Sequence, residues 1–274
     1  MGKIIIIAEH RLYYLQDVID HLWVIENKKI NCIDQVNINE KISEKYQLRS
    51  LTAIKKADLM SDPGNFQAHN IYQKDTSSGM IECKNYHYKY PKEADVFDMS
   101  LSFNHEITFI IGKNGVGKTT FVRCLCGLNK KFKGSTYLNQ KKIRKASDQI
   151  SLVMQDVNYQ LFTDSVWDEI SLVSDQDKEK SEILQEFGLL GKKENHPQSL
   201  SGGEKQRLAI AVCLASKKPI VIFDEPTSGL CKKSMEQTIQ FIHQMASDGR
   251  KVIIVTHDYE FIQACGGQVI EFVK

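Results

Sequence analysis

The chain predicts an α/β fold built on a mostly parallel sheet covered by helices, and three observations carry that reading. The first is a set of short, predominantly apolar runs at 4–7, 107–111, 150–153, 220–223 and 252–255. Runs this short, rich in β-branched residues and bounded by polar or glycine positions, read as strands buried on both faces. The second is helical spacing between the runs. Residues 119–125 form one such stretch, and residues 204–215 another, with Leu208, Ala211, Val212 and Ala215 at helix intervals. The third is a glycine-rich loop directly between a predicted strand and a predicted helix. Strands alternating with helices imply parallel pairing.

Composition sets the limits. Apolar residues make up 42% of the 274, enough to bury a core. There are 36 basic and 34 acidic side chains, for a net charge of +2. So even a balance argues against a protein built to hold nucleic acid by backbone charge, and no nucleic-acid partner is expected. No apolar run approaches the roughly 18–20 residues that span a bilayer. The run at 4–7 is too short for a signal-peptide core, and Glu9-His10-Arg11 follows closely. A soluble chain on the cytoplasmic side is expected. The seven cysteines include no CxxC pair with zinc spacing, and Cys124 and Cys126 read as small apolar side chains on a helix.

The organisation along the chain is uneven. Residues 40–79 are dominated by charged and polar side chains, with turn signals at Asp62-Pro63-Gly64 and Ser77-Ser78-Gly79. They read as a linker with one short helix near 42–57. An internal repeat accounts for the segment before it. A shift of 247 positions places Gly2-Lys3 on Gly249-Arg250 and residues 5–8 on 252–255. The same shift puts His10 on His257, Tyr14 on Phe261, Gln16 on Gln263, and Leu22-Trp23 on Val269-Ile270. The expected division is 1–39 as the end of a second copy of the fold, 40–79 as linker, and 80–274 as the complete domain.

Three motifs carry the chemistry. Gly112-Lys113-Asn114-Gly115-Val116-Gly117-Lys118-Thr119-Thr120 follows the run at 107–111 and opens a helix. This is the Walker A arrangement in its required setting. Glycines let backbone N–H groups close around phosphates, and the helix start adds its positive end. Lys118 then meets the β- and γ-phosphates, and Thr119 offers a hydroxyl to Mg²⁺. In the second motif, the run at 220–223 ends in Asp224-Glu225. Ligands bind at strand ends in parallel sheets, so both acids emerge beside the phosphate loop. Asp224 suits the Mg²⁺ shell and Glu225 the activation of water. The third motif is Leu200-Ser201-Gly202-Gly203-Glu204-Lys205-Gln206-Arg207. Ser201 and Glu204 make a capping box. Two glycines in a first helical turn cost on the order of 1 kcal/mol each against alanine. That cost is accepted where backbone must approach something closely.

Together these residues resemble the ATP-binding cassette family, with every motif in order over about 195 residues to the C-terminus. The resemblance implies the P-loop nucleotide-binding fold of that family: a mostly parallel sheet, an antiparallel β subdomain and a helical signature subdomain. It implies ATP and Mg²⁺ as ligands and ATP hydrolysis as the activity. It also implies that Ser201, Gly202, Gly203 and Glu204 serve the ATP of a partner cassette. Gln155 resembles the glutamine that senses Mg²⁺ and the membrane subunit. His257 resembles the switch histidine at the γ-phosphate. Tyr90, 22 positions before Gly112, resembles the aromatic that stacks on adenine, with Tyr88 an alternative. One departure is Cys231 in Ser228-Gly229-Leu230-Cys231, where the family usually has Asp. A thiol cannot accept the same charge-assisted bonds, which puts coupling between paired sites in doubt.

Two stretches narrow the resemblance. Residues 155–170, with Gln155, Gln160-Leu161-Phe162 and Val166-Trp167-Asp168-Glu169, look like the ATPases of energy-coupling factor importers for vitamins and transition metals. Glu9-His10-Arg11-Leu12-Tyr13-Tyr14-Leu15 resembles the end of the first cassette in their tandem form. The expected partners are a second cassette, either a copy of this chain or a complementing half, and membrane subunits for coupling and substrate binding. That puts the chain on the cytoplasmic face of the membrane. The competing reading is a tandem cassette protein acting on ribosomes or DNA without transport. The mixed charge of residues 40–79 leans against it, because such linkers are strongly basic.

Overall fold

A computed structural model describes residues 3–15, 17–26, 28–34, 38–60, 65–73, 80–91 and 94–274. Asp62-Pro63-Gly64, Ser77-Ser78-Gly79, and Gly2 and Gln16 of the repeat lie outside the described residues.

The elements begin with a hairpin, β1 (His21–Glu26) and β2 (Lys29–Asp34), and two short helices, α1 (Glu40–Lys45) and α2 (Lys56–Leu59). Then come β3 (Phe66–Asn70), β4 (Ile81–Lys89), β5 (Asp95–Phe103), β6 (Ile107–Gly112) and α3 (Lys118–Leu125). Next are β7 (Lys133–Leu138), β8 (Lys141–Lys142), β9 (Ile150–Val153), α4 (Val166–Ser171), α5 (Asp177–Glu186) and α6 (Gly202–Ala215). The chain closes with β10 (Ile220–Asp224), α7 (Lys232–Ser247), β11 (Lys251–Val255), α8 (Tyr259–Cys265) and β12 (Gln268–Val273).

Six strands form one parallel sheet in the order β3-β12-β6-β11-β10-β9. The predicted runs at 107–111, 150–153, 220–223 and 252–255 are its β6, β9, β10 and β11. Their mostly apolar character, broken only by Thr108 and Ser151, follows from burial on both faces. In β10, Val221 and Phe223 pack into the core beneath the helical layer, whereas Ile220 and Ile222 face the other core. β11 divides the same way, Val252 and Ile254 against Ile253 and Val255. The second core lies against an antiparallel sheet of order β5-β4-β7-β8. The expected parallel sheet, antiparallel subdomain and helical layer are therefore all present.

Two segments differ from expectation. The run at 4–7 forms no strand, and its isoleucines are 55–92% exposed. Apolar sequence alone does not make a strand: the backbone groups need a neighbouring strand to pair with, and β6, β10 and β11 each have two. The repeat counterpart of β12, residues 21–26, is a strand, but it pairs antiparallel with β2. The polar stretch at 40–79 is also more than a connection. Its β3 extends the main sheet, running parallel to β12 with Phe66 opposite Val269 and Asn70 opposite Val273. Its polar sequence suits an edge strand, in which only His69 is buried. The expected helix near 42–57 is two helices, α1 and α2, because the chain turns at Gln47 with φ of +50°. Among the described residues no helix is long and apolar enough to cross a membrane.

Candidate functional site

The loop between β6 and α3 turns on three glycines in the left-handed region: Gly112 (φ +142°), Gly115 (φ +77°) and Gly117 (φ +111°). Two of them are also forced by contact. A Cβ on Gly112 would stand 2.6 Å from the Phe272 carbonyl oxygen, and one on Gly117 would stand 2.9 Å from Val96. The loop therefore lies tightly against β12 and β5, and its open side faces outward at Gly115, where a Cβ meets nothing. Lys118, the first residue of α3, is buried and folds back over the loop. Its Nζ donates to the carbonyls of Gly112 (2.7 Å) and Lys113 (3.3 Å). Burial pushes its pKa down, against the opposing pull of Glu225 and Asp224.

β10 delivers Asp224 and Glu225 to the same edge. Asp224 is buried, and burial raises its pKa, with Thr119, Arg123 and Lys118 pulling the other way. Its Oδ1 is buried without a hydrogen-bond partner among the described residues. A hard divalent cation takes such carboxylate oxygens, so Thr119 and Asp224 fit Mg²⁺. Glu225 sits at φ +52°, strained for a residue with a side chain and typical of functional turns. Burial lifts its pKa to about 7, with the Thr256 hydroxyl (3.2 Å) pulling against it. His257 Nε2 lies 2.8 Å from Glu225 Oε1. Burial, then Lys118 and Arg11, lower the histidine pKa. Lys118, Thr119, Asp224, Glu225 and His257 thus converge at one end of the sheet.

The remaining candidates surround this group. Gln155 is exposed, two residues beyond β9, at the strand end adjacent to β10. Its loop is held by Gln160, which accepts from Met154 N–H (2.6 Å) and donates to the Leu152 carbonyl (2.5 Å). Tyr90, just past β4, stands with its hydroxyl 3.1 Å from Thr120 Oγ1 and its ring edge-on to Tyr88. The signature residues start α6, apart from the phosphate loop. There Glu204 accepts from Ser201 N–H (3.0 Å), Ser201 Oγ (2.9 Å) and Lys192 Nζ (2.6 Å). The first of these, from the N-cap backbone to the Glu204 side chain, belongs to the predicted capping box.

Sequence reasoning missed the support beneath His257. Asp258 caps α8 and accepts from Thr227, two residues past Glu225. It also pairs with Arg49, far away in the polar stretch. The position of Asp258 before a helix is a capping signal, but a lone arginine 209 residues away carries none.

The ABC transporter family profile matches residues 96–228. A Pyrococcus furiosus protein named as an ABC transporter ATP-binding protein is 33% identical, over 70% of this chain and 79% of its own length. The chain belongs to the ABC transporter ATP-binding family. A similarly named Treponema denticola protein is 40% identical over 98% of the chain. The cassette chain spans only 56% of that relative and 54% of a second from the same organism. Two solved structures share the cassette fold. A bacterial ABC transporter cassette solved as a dimer is 27% identical, with a TM-score of 0.61 over 70% of this chain and 94% of that one. CbiO1 of Clostridium perfringens, described as part of the ABC transporter complex CbiONQ, is 27% identical, with a TM-score of 0.56 over 66% of this chain and 80% of that one.

Proposed function

We propose that this cassette binds ATP with Mg²⁺, hydrolyses it in partnership with a second cassette, and energises a membrane importer of the energy-coupling factor type. The observation that carries the hydrolytic part is the meeting of Lys118, Thr119, Asp224, Glu225 and His257 at one sheet end. In this reading residues 112–120 cradle the phosphates and Lys118 leaves the loop carbonyls for the β- and γ-oxygens. Thr119, Asp224 and Gln155 hold Mg²⁺, which supplies positive charge against the phosphates when bound. Glu225 takes the proton of the attacking water at a carboxylate oxygen. Its raised pKa, about 7, suits a base working near neutrality. His257, beside Glu225, donates toward the γ-phosphate, and Tyr90 stacks on the adenine. Residues 80–274 carry this machinery, and Ser201, Gly202, Gly203 and Glu204 serve the partner's nucleotide. The dimeric cassette structure supports the pairing.

The importer reading rests on the likeness to CbiO1 and on an exposed aromatic pair in the loop after Gln155: Tyr159 is 81% and Phe162 74% exposed. Exposed aromatics beside Gln155 suit a short helix from a membrane subunit. Trp167, by contrast, is half-buried between Lys180 and Lys193 and belongs to the helical subdomain. Affinity purification from membranes tests the proposal. Integral membrane subunits should copurify, and Phe162→Asp should release them while leaving ATP binding intact. Recovery of ribosomal RNA, or unchanged membrane association of Phe162→Asp, would count against it.

A further inference from the structure

We infer that Arg49 is a positioning residue for the switch-histidine loop: from outside the nucleotide site it clamps Asp258, and through Asp258 it fixes the backbone that presents His257. The inference rests on the role proposed above for His257.

Arg49 lies between α1 and α2, in the segment that reads from sequence as a linker, yet its side chain is 1% exposed. Nη2 donates to both carboxylate oxygens of Asp258 at 2.7 Å, and Nε donates to Glu260 at 2.7 Å. The Ser50 N–H adds a bond to the other Glu260 oxygen at 3.0 Å. Two consecutive residues therefore grip both acids at the start of α8. The grip is braced from behind, because the buried Ser43 hydroxyl is placed at the carbonyls of Leu48 (3.2 Å) and Arg49 (3.3 Å).

Asp258 is 3% exposed and is the hub of the loop. Thr227 donates to it at 2.6 Å, tying His257's neighbour to the turn that follows Glu225. Its N–H donates to Thr256 Oγ1 (3.1 Å), and the same hydroxyl reaches Glu225 (3.2 Å). Its carboxylate also caps α8 at Phe261 N–H (3.3 Å). Burial alone would push this carboxyl toward neutrality, but the bonds from Arg49 and Thr227 outweigh it and hold the pKa below its usual range. Arg11 reaches the same carboxylate only at 3.4 Å, from a side chain that is 29% exposed, and cannot replace Arg49. Planar guanidinium geometry matters here: one fork spans Asp258 and Glu260 together, which an ammonium cannot do. Without Arg49 a buried carboxylate loses its main counter-charge. The residues on either side of His257 and Glu225 then lose a shared anchor, and displacements of about 1 Å at such groups cost up to roughly a hundredfold in rate.

The test compares the full chain with Arg49→Ala, Arg49→Lys, Asp258→Asn and the double variant Arg49→Ala/Asp258→Asn. The readouts are steady-state ATPase kinetics and hydrogen exchange. Arg49→Ala should lower kcat on the order of tenfold to a hundredfold with KM for ATP changed by less than about twofold. Arg49→Lys should recover part of kcat, and Arg49→Ala should add little once Asp258 is Asn. Amide exchange should quicken across 256–262 and stay unchanged across 112–120. Faster exchange confined to 40–60, with kcat unchanged, would overturn the inference and leave Arg49 a fastener of its own segment. Additive losses in the double variant would also overturn it. If Arg49→Ala does not fold, Arg49→Lys carries the same comparison. Absence of ATPase activity in the unmodified chain would defeat the proposed function, and exchange at 256–262 would still decide the role of Arg49.

Discussion

At the scale of single residues, the cassette places charge where burial makes it costly and then answers it selectively. Asp224 is buried and Glu225 mostly buried at a strand end, both with raised pKa values, while Glu204 on α6 is answered by close donors. The Lys192 ammonium, then the Ser201 N–H, hold the Glu204 carboxyl down to about 2. A folded-state pKa below the unfolded value contributes stability that is present above the unfolded pKa, about 4.5, and is lost as pH falls toward 2. Glu204→Gln should therefore be less stable than the unmodified chain at pH 7, with the gap closing below about pH 4.5. Denaturation midpoints measured from pH 7 to pH 3 check this. A gap that does not change with pH would show that Lys192 contributes nothing through charge.

At the scale of elements, legibility followed burial. β10 and β11 are apolar at every central position because both faces are covered, so their runs stand out in the sequence. β4 was not legible as a strand from periodicity, because Glu82 is buried within it and the chain slips register between Cys83 and Tyr86. β3 was hidden by its polar edge sequence, and Arg49 by distance. The nucleotide motifs were legible down to Lys118, Asp224, Glu225 and the Ser201–Glu204 box, because each imposes a local residue pattern. The arm beneath His257 was not, because its partners are joined only by folding. The departure at Cys231 belongs to this scale too. Cys231 stands at the N-cap of α7 with no side-chain capping bond, and its Sγ lies 3.3 Å from Ser234 Oγ. An aspartate there accepts from the first turn and favours the positive helix end. Cys231→Asp should stabilise the chain by about 1 kcal/mol. Urea denaturation reads this directly, and no gain would mean the turn before α7 does not admit the cap.

At the scale of the whole molecule, Phe121 joins three layers. It is fully buried on α3, directly behind the phosphate loop. Its ring packs against Tyr86 on β4 and against Phe97 and Phe103 on β5, with centroids at 5.6, 6.2 and 6.2 Å. It meets Phe272 on β12 edge-on at 5.4 Å. The helix that carries Lys118 is thus fixed to both sheets through one ring. Phe121→Ala should cost about 3–5 kcal/mol, read by urea denaturation. A cost below about 1 kcal/mol would mean that the layers are held elsewhere.

The central claim is that the sheet end joining Lys118, Asp224, Glu225 and His257 is an ATP-hydrolysing site with Glu225 as its base. The most direct measurement is ATP binding and single-turnover hydrolysis, with Mg²⁺, for the unmodified chain and Glu225→Gln side by side. The account predicts that both bind ATP and that hydrolysis by Glu225→Gln falls by about 10²–10⁴-fold, because an amide cannot take the proton of water. Hydrolysis by Glu225→Gln near the unmodified rate would contradict it.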